Sequence, residues 1–566
     1  MKTFSYLLSI LFIVMSFAVK SQSINWVSQY GSTQTDIVSD IELDSKGNLY
    51  SVGYFRDTMD IANASSSSTY IAQGSLDGFI SKTDVSGNVV WIKHFGGLQS
   101  TAYAISIAVS SQDELLISGY FSGTVDFNPG TGSYPLTSAG GRDPFILKLD
   151  TNGNFSWAKT FSGINDNSIE SIAVDNSGDI VSTGLFRGTI TFDSTSNSSF
   201  TTPVHATSLF IHKFSSSGNQ LWVKTINTSN TEIGRSIAID KNNNIYITGE
   251  FHGTTDFDPG VLSYQLSANN RDCFILKLNT SGNFVWATSF GSNAIERGNC
   301  IKVDYANNVY TIGTFGNLTD FDPGTGTFQL AATASFDVFI QKLDSNGNFL
   351  YAKAINQPRN SRLGAFDLSI SSKQKVSIVG HFRGTIDFDP DTAVVNRQST
   401  GGSTNFNSFI LSLDSMGSFD KVYKITSPYS VTSMAIKEIN DDYLVGGYFE
   451  GTLSLNQYSL NSRGGADGFT FRLSNSTILT SDKSMETQLN TVSIYPNPTN
   501  GLIHIDHPYF LSGKIEVLNK LGQLIIQKEI KQKHSTISFE GKNGLYFIKL
   551  IPDNGIQTVH KVIKKD

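Results

Sequence analysis

The sequence is poor in cysteine and in charged side chains. It has two Cys among 566 residues, with no CxxC pair and no Cys/His cluster at zinc-binding spacing, which excludes a disulfide framework and a zinc site of that kind. Charged residues make up 16% of the chain against a typical ~25%, and the formal net charge is −7. Since no basic excess attracts phosphate backbones, bulk nucleic-acid binding is excluded. Hydrophobic residues, at 39%, are abundant enough for a large core.

Linear catalytic motifs are also missing. The chain contains no HExxH, no GxSxG and no Walker-type glycine loop, and its nine His are scattered. We therefore predict no catalytic residue and no cofactor, with calcium as the one alternative treated below. An active site assembled from several distant segments stays open, because such a site leaves no linear motif.

Long apolar runs are confined to the N-terminus. Residues 1–21 combine Lys2 with a mainly apolar stretch from Phe4 to Val19, just before Gln22. This pattern predicts a secretory signal peptide; a membrane anchor is the alternative, although the stretch is at the short limit for spanning. We expect a mature protein that lies outside the cytoplasm and has no membrane span.

The main feature of the chain is an internal repeat. Its clearest marker is a Gly-x-Phe triplet that recurs at intervals of 64 to 67 residues. The seven glycines are Gly53, Gly119, Gly184, Gly249, Gly313, Gly380 and Gly447. A DxF-type segment and a further aromatic residue also recur seven times each. The aromatic residues are Trp26, Trp91, Trp157, Trp222, Trp286, Tyr351 and Tyr423. Such a period indicates a repeat architecture.

Each repeat unit contains four short strand segments. Between residues 235 and 290 the segments SIAID, IYITGEF, CFILKLN and FVWATSF are apolar, and turns rich in Asn, Gly and Ser separate several of them. Four strands are typical of a propeller blade, and nearly continuous apolar character fits strands that are buried on both faces. We predict an all-β fold with a seven-bladed β-propeller over residues 22–473.

The phase of the repeat predicts how the ring closes. The first Trp-containing strand, 24–31, precedes any complete unit, and the seventh unit ends after 468–474 without such a strand. We expect the N-terminal strand to become the outermost strand of the last blade, because this pairs two edges that would otherwise be exposed.

The units resemble the SBBP-type bacterial β-propeller repeat. The pattern vDxxGNxYxTGxF, followed by DxFIxKLDxxGNxxWA, is matched in units two, four and five. The resemblance covers about residues 24–473. It implies the fold and no ligand, and it carries no catalytic residue over to this chain.

The C-terminal region has a different character. Residues 474–490 are polar and predict a linker, whereas the short alternating strands of 491–566 predict a small β-sandwich. Residues 491–566 contain ten Lys and six acidic side chains, which leaves 22–490 with a net charge of −13.

The same C-terminal region resembles the type A sorting domain of type IX secretion cargo. The matched residues include Tyr495, Pro496, Asn497, Pro498, Gly501, Gly522, Gly544, Tyr546, Lys561 and Lys564. The resemblance implies that the type IX secretion machinery is a partner and that the chain passes through the periplasm to the cell surface or medium. It also implies removal of the domain on arrival.

Paired carboxylates recur in turns between the second and third strands. The turns are DFNPG at 126–130, DFDPG at 256–260 and 320–324, and DFDPD at 387–391. Two aspartates separated by one residue, followed by Gly, resemble the start of a calcium loop. Asp256, Asp258, Asp320 and Asp322 are therefore candidate calcium ligands. The distal acidic ligands are lacking and Pro-Gly forms turns by itself, so a plain turn is the alternative.

One position of the first strand holds small or acidic residues in every unit. They are Asp40, Ser106, Ser171, Ser236, Cys300, Asp367 and Ser433. Small side chains suit a narrow space beside the axis, and a polar-lined channel is the alternative. Cys300 at this position and Cys273 in a DxF segment predict two small buried side chains rather than a disulfide.

The residue after Gly-x-Phe varies although its neighbours repeat. The seven residues are Arg56, Ser122, Arg187, His252, Gly316, Arg383 and Glu450. They fall where the second strand ends, and in a ring of repeats all seven emerge on one face. We take Arg56, Arg187, His252 and Arg383 as a candidate ligand-binding rim; solvated loops that vary without function are the alternative.

Together these features predict an exported, non-enzymatic β-propeller that presents loops for binding an extracellular protein or glycan. The alternative is a secreted hydrolase or lyase with its active site in the axial mouth. A pair of acids with shifted pKa values at the mouth would favour the enzyme, whereas an aromatic or polar mouth would favour binding.

Overall fold

The computed structural model describes residues 23–63, 66–193, 198–402, 404–474, 493–506, 512–520, 522–531, 534–552 and 558–565. The chain forms two compact units, one within 22–476 and one within 477–566. The predicted signal peptide and nearly all of the predicted linker lie outside the described residues. Every regular element in the described residues is a β-strand, so the all-β prediction is confirmed. Accordingly, no helix long and apolar enough to cross a bilayer is found among them.

The larger unit contains seven four-stranded antiparallel sheets, numbered here 1 to 7 in chain order. Their first strands are Ile37–Leu43, Thr101–Val109, Ser168–Val174, Glu232–Ile239, Arg297–Val303, Arg362–Ile370 and Val431–Ile439. The second strands are Leu49–Phe55, Leu115–Ser122, Ile180–Phe186, Ile245–Asp256, Val309–Phe315, Val376–Arg383 and Asp442–Phe449. The third strands are Asp77–Thr83, Asp143–Leu149, Ser208–Phe214, Gln265–Leu278, Asp337–Leu343, Asn407–Leu413 and Asp467–Ser474.

The fourth strands of sheets 1 to 6 follow their third strands in the chain. They are Val89–Phe95, Phe155–Thr160, Gln220–Ile226, Phe284–Phe290, Phe349–Ile355 and Phe419–Ile425. In sheet 7 the fourth strand is Ser23–Gly31, which pairs antiparallel with Asp467–Ser474, so that Gln29 lies opposite Phe469. The strand that comes first in the described chain thus completes the sheet that comes last.

Small hairpins extend the connections between second and third strands. Their strands are Thr58–Asn63 with Ser66–Ile71, Thr124–Asp126 with Pro135–Thr137, Thr189–Asp193 with Ser198–Thr201, Leu318–Asp320 with Gln329–Ala331, Thr385–Asp387 with Asn396–Gln398, and Thr452–Leu455 with Tyr458–Asn461. The two-residue strand Ser162–Gly163 pairs beside the third of these hairpins. In sheet 4 the second and third strands themselves continue into the hairpin.

The first strands contact one another in a cyclic order. Each packs against the first strand of the next sheet, and the first strand of sheet 7 packs against that of sheet 1. The core lies between neighbouring sheets, where both faces are covered: Tyr310 and Ile340 of sheet 5 pack in one cluster with Leu368 and Phe409 of sheet 6. This two-sided burial explains the nearly continuous apolar character of the central strands.

The turns between first and second strands are built around aspartate. Asp44, Asp175, Asp240 and Asp304 each accept hydrogen bonds from two backbone N–H groups within the following four residues, at 2.8 to 3.0 Å. These are Asx hydrogen bonds, which hold the turn and leave the carboxylate little free acceptor capacity. The structural role predicted for these aspartates is confirmed.

Neighbouring sheets are joined by tryptophan and lysine contacts. The ring of Trp222 in sheet 3 lies over Gly282 in the turn of sheet 4, where a Cβ atom would approach the ring to 3.1 Å. Gly282 has φ +75°, a conformation that favours glycine. From the third strand of sheet 4, Lys277 Nζ donates a hydrogen bond of 2.7 Å to the Ser345 carbonyl in the corresponding turn of sheet 5. The Gly and Trp markers of the repeat are therefore partners across adjacent sheets.

The C-terminal unit contains two small sheets. Ser493–Tyr495, Leu502–Asp506 and His534–Ser538 form one, and Leu524–Ile530, Gly513–Asn519, Gly544–Pro552 and Thr558–Lys564 form the other, in the order of pairing. Alternate residues of both sheets, such as Ile503, Ile515 and Ile548, are fully buried in a common core. The alternation is that of a β-sandwich with one face of each sheet exposed.

Candidate functional site

A cavity of about 820 Å³ lies among the first strands of all seven sheets. Each of these strands has a β-bulge, and the extra residue lines the cavity. The seven bulge residues are Ser39, Ile105, Glu170, Arg235, Asn299, Phe366 and Met434. A bulge re-aims a side chain locally, so this position differs in chemistry from sheet to sheet while the pairing on either side is kept.

The residue after each bulge joins neighbouring first strands. Asp40 accepts a hydrogen bond from Ile107 N at 3.0 Å, and Ser236 accepts one from Ile301 N at 3.1 Å. The predicted small or acidic residues occupy this position in sheets 1 to 6. In sheet 7 the register places Ala435 there, because the bulge follows Ser433; the assignment of Ser433 to this position is wrong.

Buried charges occupy the cavity below the bulges. Burial raises the pKa of Asp40 to about 6, and the Asp367 carboxylate acts in the same direction. Lys437 Nζ lies 2.7 Å from Glu42 Oε2. Asp367 Oδ2 accepts the N–H of Ile436 at 2.9 Å. These carboxylates therefore already join sheets through backbone hydrogen bonds or an ion pair.

The cysteines are buried and do not form a disulfide, as predicted. Cys300 Sγ donates to Asp367 Oδ1 at 3.2 Å. Burial raises the pKa of the Cys300 thiol to about 12, so the thiol stays protonated and is not a nucleophile.

Arginines surround one carboxylate at the mouth of the cavity. Glu250, the middle residue of a Gly-x-Phe triplet, is 1% exposed. It lies 3.0 Å from Arg235, 3.5 Å from Arg271 and 2.6 Å from Arg297, whose side chains are 31 to 40% exposed. Three guanidinium groups around one carboxylate leave an excess of positive charge that faces solvent.

Aromatic rings line another part of the mouth. Tyr103 lies 4.6 Å from both Tyr54 and Tyr120, and the Arg142 guanidinium lies over the Tyr120 ring at 4.9 Å. Burial raises the pKa of Tyr54 to about 12, so this phenol is neutral at ordinary pH. The rings are partly exposed and offer flat faces with polar edges.

A second aromatic group belongs to sheet 6. His381 stacks on Phe406 at 4.2 Å and meets the edge of Phe366 at 5.0 Å. Burial lowers the pKa of His381 to about 4, so the imidazole is neutral. With the other aromatic group and the arginines, this makes the mouth aromatic and cationic rather than acidic.

Sequence reasoning missed the mouth. Its members come from the bulges and from the middle position of Gly-x-Phe, which the repeat pattern treats as free. That middle position reads Tyr54, Tyr120, Leu185, Glu250, Thr314, His381 and Tyr448. The signal that could have found it is a variable residue between two constant ones on a strand whose other residues point into the core.

The four candidate rim residues occupy equivalent positions but different surroundings. The backbone N–H groups of Arg56 and Arg187 donate to Asp36 and Asn167, in the segments that lead into the first strands. His252 lies opposite Arg271 in sheet 4. Arg383 lies 5.7 Å from the Phe406 ring. Arg56, Arg187 and His252 are exposed and Arg383 is half-buried, so the rim remains a prediction.

The paired aspartates form the hydrogen bonds of plain turns. Asp256 Oδ1 accepts from Asp258 N and Tyr264 N at 3.1 and 2.8 Å, and Asp258 accepts from Gly260 N at 2.8 Å. Asp320 and Asp322 repeat this pattern. Among the described residues no group of three or more His, Cys, Asp or Glu could hold a metal ion. Calcium binding stays a prediction.

The sorting-motif residues meet where the two ends of the C-terminal unit come together. Asn497 Nδ2 donates to the Lys561 carbonyl at 3.1 Å, and Asn497 Oδ1 accepts from Ile563 N at 2.9 Å. The Gly501 carbonyl accepts from Phe539 N, and Lys564 packs against Gly501, where a Cβ would approach its Cε to 3.0 Å.

The remaining motif residues shape the surface of this unit. Tyr495, Pro496 and Pro498 are exposed. Their positions are fixed by strand pairing rather than by burial, since Tyr495 lies opposite His504. Gly522 closes a turn with φ +77°, Gly544 begins a strand, and Tyr546 donates to the Lys542 carbonyl at 2.9 Å.

Comparison with known proteins identifies parts of the chain. Residues 493–565 match the family described as secretion system C-terminal sorting domain, and residues 221–257 match the beta-propeller repeat. An uncharacterized WD repeat-containing protein of Acanthamoeba polyphaga mimivirus is 29% identical over 232 residues. That match covers 36% of this chain and only 17% of the length of the relative.

Two solved structures align with low identity. The extracellular domain of a putative hybrid two-component system from B. thetaiotaomicron is 10% identical, with 95% of this chain and 99% of that chain covered and a TM-score of 0.16. PorZ, a surface component of the type IX secretion system of Porphyromonas gingivalis, is 10% identical, with coverages of 95% and 100% and a TM-score of 0.15. TM-scores this low carry no conclusion about this chain.

The family matches and the predicted resemblances agree. The C-terminal match implies interaction with the type IX secretion machinery and export to the cell surface or medium. The chain is a bacterial SBBP-type β-propeller repeat protein with a type IX C-terminal sorting domain.

Proposed function

We propose that this protein is an exported, non-enzymatic binding protein whose residues 22–473 form a closed seven-bladed β-propeller. A linker at 474–490 joins it to the sorting domain at 491–566, and a signal peptide at 1–21 starts export. The propeller presents its mouth and the surrounding loops to an extracellular protein or glycan.

The cyclic contacts of the first strands support the closed ring. Closure is also supported by side chains that join sheet 7 to sheet 1: Trp26 lies over Gly87, and Arg472 donates to the Val85 carbonyl at 3.3 Å. These contacts repeat the tryptophan and cation contacts found between the other sheets.

The chemistry of the mouth carries the binding proposal. Partly exposed tyrosine rings and three arginines converge there, and such side chains are those that interfaces favour. Arginine offers bidentate hydrogen bonds and tyrosine offers a rigid ring with a polar edge. Both recognise a ligand without needing a reactive group.

An array of extracellular proteins and glycans tests the proposal, with the full secreted chain as the probe. We expect a specific ligand whose binding weakens when Arg56, Arg187, His252 and Arg383 are all replaced by Ala. Thermal stability should change little, because exposed substitutions usually cost within about 0.5 kcal/mol each. Unchanged affinity in this variant would remove the rim from the site, and the absence of any ligand would overturn the binding role.

A secreted hydrolase or lyase is the second candidate, and Asp40 is the observation that favours it. Its raised pKa and its place in the cavity beside Asp367 are those of a group that could exchange a proton near neutral pH. Incubation with polysaccharides tests this: new reducing ends that Asp40→Asn abolishes would establish an enzyme. Products that persist in this variant, or no products, would count against it.

A further inference from the structure

A groove leads from the mouth of the cavity to the boundary between sheets 5 and 6. The central cavity and a neighbouring one of about 150 Å³ share Arg297 and Thr314 as lining residues. The second cavity shares Gln357 and Arg362 with a third one of about 630 Å³. The three cavities are thus continuous along one radial path.

Arginines line this path throughout. Arg235 and Arg297 lie at the mouth, and Arg362, Arg359 and Arg383 line the outer part. At the mouth, Glu250 pairs with arginine. By contrast, no described acidic side chain lies within ion-pair distance of Arg359, Arg362 or Arg383.

Two of the outer arginines are placed unfavourably for the fold. Arg362 and Arg383 lie directly opposite each other on the first and second strands of sheet 6. Like charges directly opposite each other destabilise an antiparallel pair. An anion held between the two guanidinium groups would convert this repulsion into attraction.

A buried amide in the groove also lacks a partner. Gln357 lines both outer cavities, is 3% exposed, and its Oε1 accepts no hydrogen bond in the structure. Its Nε2 donates to the Phe336 carbonyl, which fixes the orientation of the amide. A buried acceptor without a donor costs free energy, and a ligand hydroxyl would supply the donor.

The charge of the whole unit makes the groove exceptional. Residues 22–490 have a net charge of −13, so a run of arginines without acidic partners is a local reversal of sign. General attraction of a polyanion is not available to this unit. The ligand must bring negative groups to these particular arginines.

We propose that the groove binds an acidic polysaccharide, with its carboxylate groups on the arginines and a hydroxyl group on Gln357 Oε1. Arginine pairs bidentately with carboxylate in a planar geometry, which favours it over lysine here. The tyrosine rings at the mouth offer faces on which sugar rings pack. This inference rests on the proposed binding role and specifies the ligand class for it.

Calorimetric titration of the full secreted chain tests the inference. The probes are oligogalacturonate, the same oligosaccharide with its carboxyl groups reduced, and single-stranded DNA. We expect binding of the acidic oligosaccharide alone, weakened by added salt because screening reduces the arginine–carboxylate attraction.

The diagnostic variant is Arg362→Gln with Arg383→Gln. We expect binding to weaken about tenfold or more, since two charge-assisted contacts are lost. Its melting temperature should be equal or higher, because a like-charge pair has been removed. The matched control, Lys46→Gln with Lys241→Gln, removes two exposed positive charges in the turns at the far end of the first strands and should leave binding unchanged.

The outcomes separate this inference from the proposed function. Equal binding of the reduced oligosaccharide, or equal loss in both double variants, would overturn the acidic-ligand assignment but leave a glycan-binding role. Binding of DNA that depends on Arg362 and Arg383 would replace the polysaccharide with a nucleic acid. If no probe binds while the array yields a protein ligand, the inference fails and the binding role stands.

Discussion

A tryptophan in one sheet and a glycine in the next act together as one structural unit. At Gly282 two requirements coincide, because its φ is +75° and the Trp222 ring occupies the place of a side chain. Gly178 has the first requirement without the second: its φ is +82°, and a Cβ atom at this position would come no closer than 3.8 Å to its nearest neighbour, Ser216 Cβ.

Alanine at these two glycines should therefore have different costs. We expect Gly178→Ala to lower the free energy of unfolding by about 1 kcal/mol, the cost of a left-handed backbone with a Cβ atom. Gly282→Ala should cost about 1 to 3 kcal/mol more, because the Trp222 ring must also move. Chemical denaturation measures both values, and equal costs would show that the ring contact does not stabilise the junction.

The buried aspartates of the DxF segments differ in how well they are satisfied. Asp77 accepts hydrogen bonds from Gln73 N and Gly74 N and lies 3.0 Å from His94 Nδ1. Asp272 is 5% exposed and its Oδ1 accepts no hydrogen bond. Burial, together with the nearby Glu296 carboxylate, raises the pKa of Asp272 from 3.8 to about 7.

This shift sets the sign of a pH effect. The folded chain holds a proton on Asp272 that the unfolded chain has released between about pH 4 and 7, so stability falls as pH rises through that window. At pH 8, Asp272→Asn should raise the free energy of unfolding by about 1 kcal/mol or more and flatten its pH dependence. Asp77→Asn should lower it, because hydrogen bonds are lost; denaturation at pH 5 and pH 8 measures both. A destabilised Asp272→Asn protein at pH 8 would contradict this account.

At the scale of the element, the N-terminal strand does more than cover an edge. Tyr30 is fully buried, stacks on Phe79 of sheet 1 at 5.6 Å and lies 3.3 Å from Thr470 Oγ1 of sheet 7. Gln29 donates to Asp467 at 2.6 Å. The strand therefore contacts both sheets that meet at this junction.

Removal of residues 22–31 should abolish a single cooperative melting transition and cause aggregation, because the third strand of sheet 7 is left with an unpaired edge. Differential scanning calorimetry and light scattering measure these effects. A synthetic peptide of the same residues should restore the transition, and one carrying Trp26→Ala should restore it less well, since burial of the indole ring is lost. A truncated protein that melts like the intact one would rule out this role.

The elements were easier to predict than the site, for physical reasons. Constant residues such as Gly282 and Asp240 are required by a turn and an inter-sheet contact in each repeat, so their spacing shows in the sequence. The bulge shifts register within the first strand, and no residue type marks it, so spacing alone places Ser433 where the structure has Ala435. Arg297, Arg362 and Arg383 come from different strands, and only pairing and sheet packing place them along one groove.

At the scale of the whole molecule, two units of different charge have separate cores. The C-terminal unit buries Ile503, Ile515 and Ile548 together, and its motif residues meet only because the unit is folded. Recognition by the secretion machinery therefore requires a folded surface rather than a linear signal.

Deletion of residues 491–566 should leave the repeat region folded but retain it in the periplasm. Fractionation of the producing cells and a melting curve of the retained protein measure both effects. As a control, the same residues fused to an unrelated periplasmic protein should direct that protein to the surface or medium. Surface protein should also be shorter than its precursor by about the size of this domain. Normal export of the deleted chain would contradict the sorting role.

The pairing of Ser23–Gly31 with Asp467–Ser474 also determines when folding can finish. The first of these segments leaves the ribosome long before the second has been synthesised. Contacts between segments so distant in sequence form slowly, because the intervening chain must first be brought together at an entropic cost. The newly made N-terminal segment therefore waits, unpaired, while the repeats between fold. Completion of the ring is necessarily a post-translational event, and a chain interrupted during synthesis or translocation carries an open edge that proteases and chaperones can recognise.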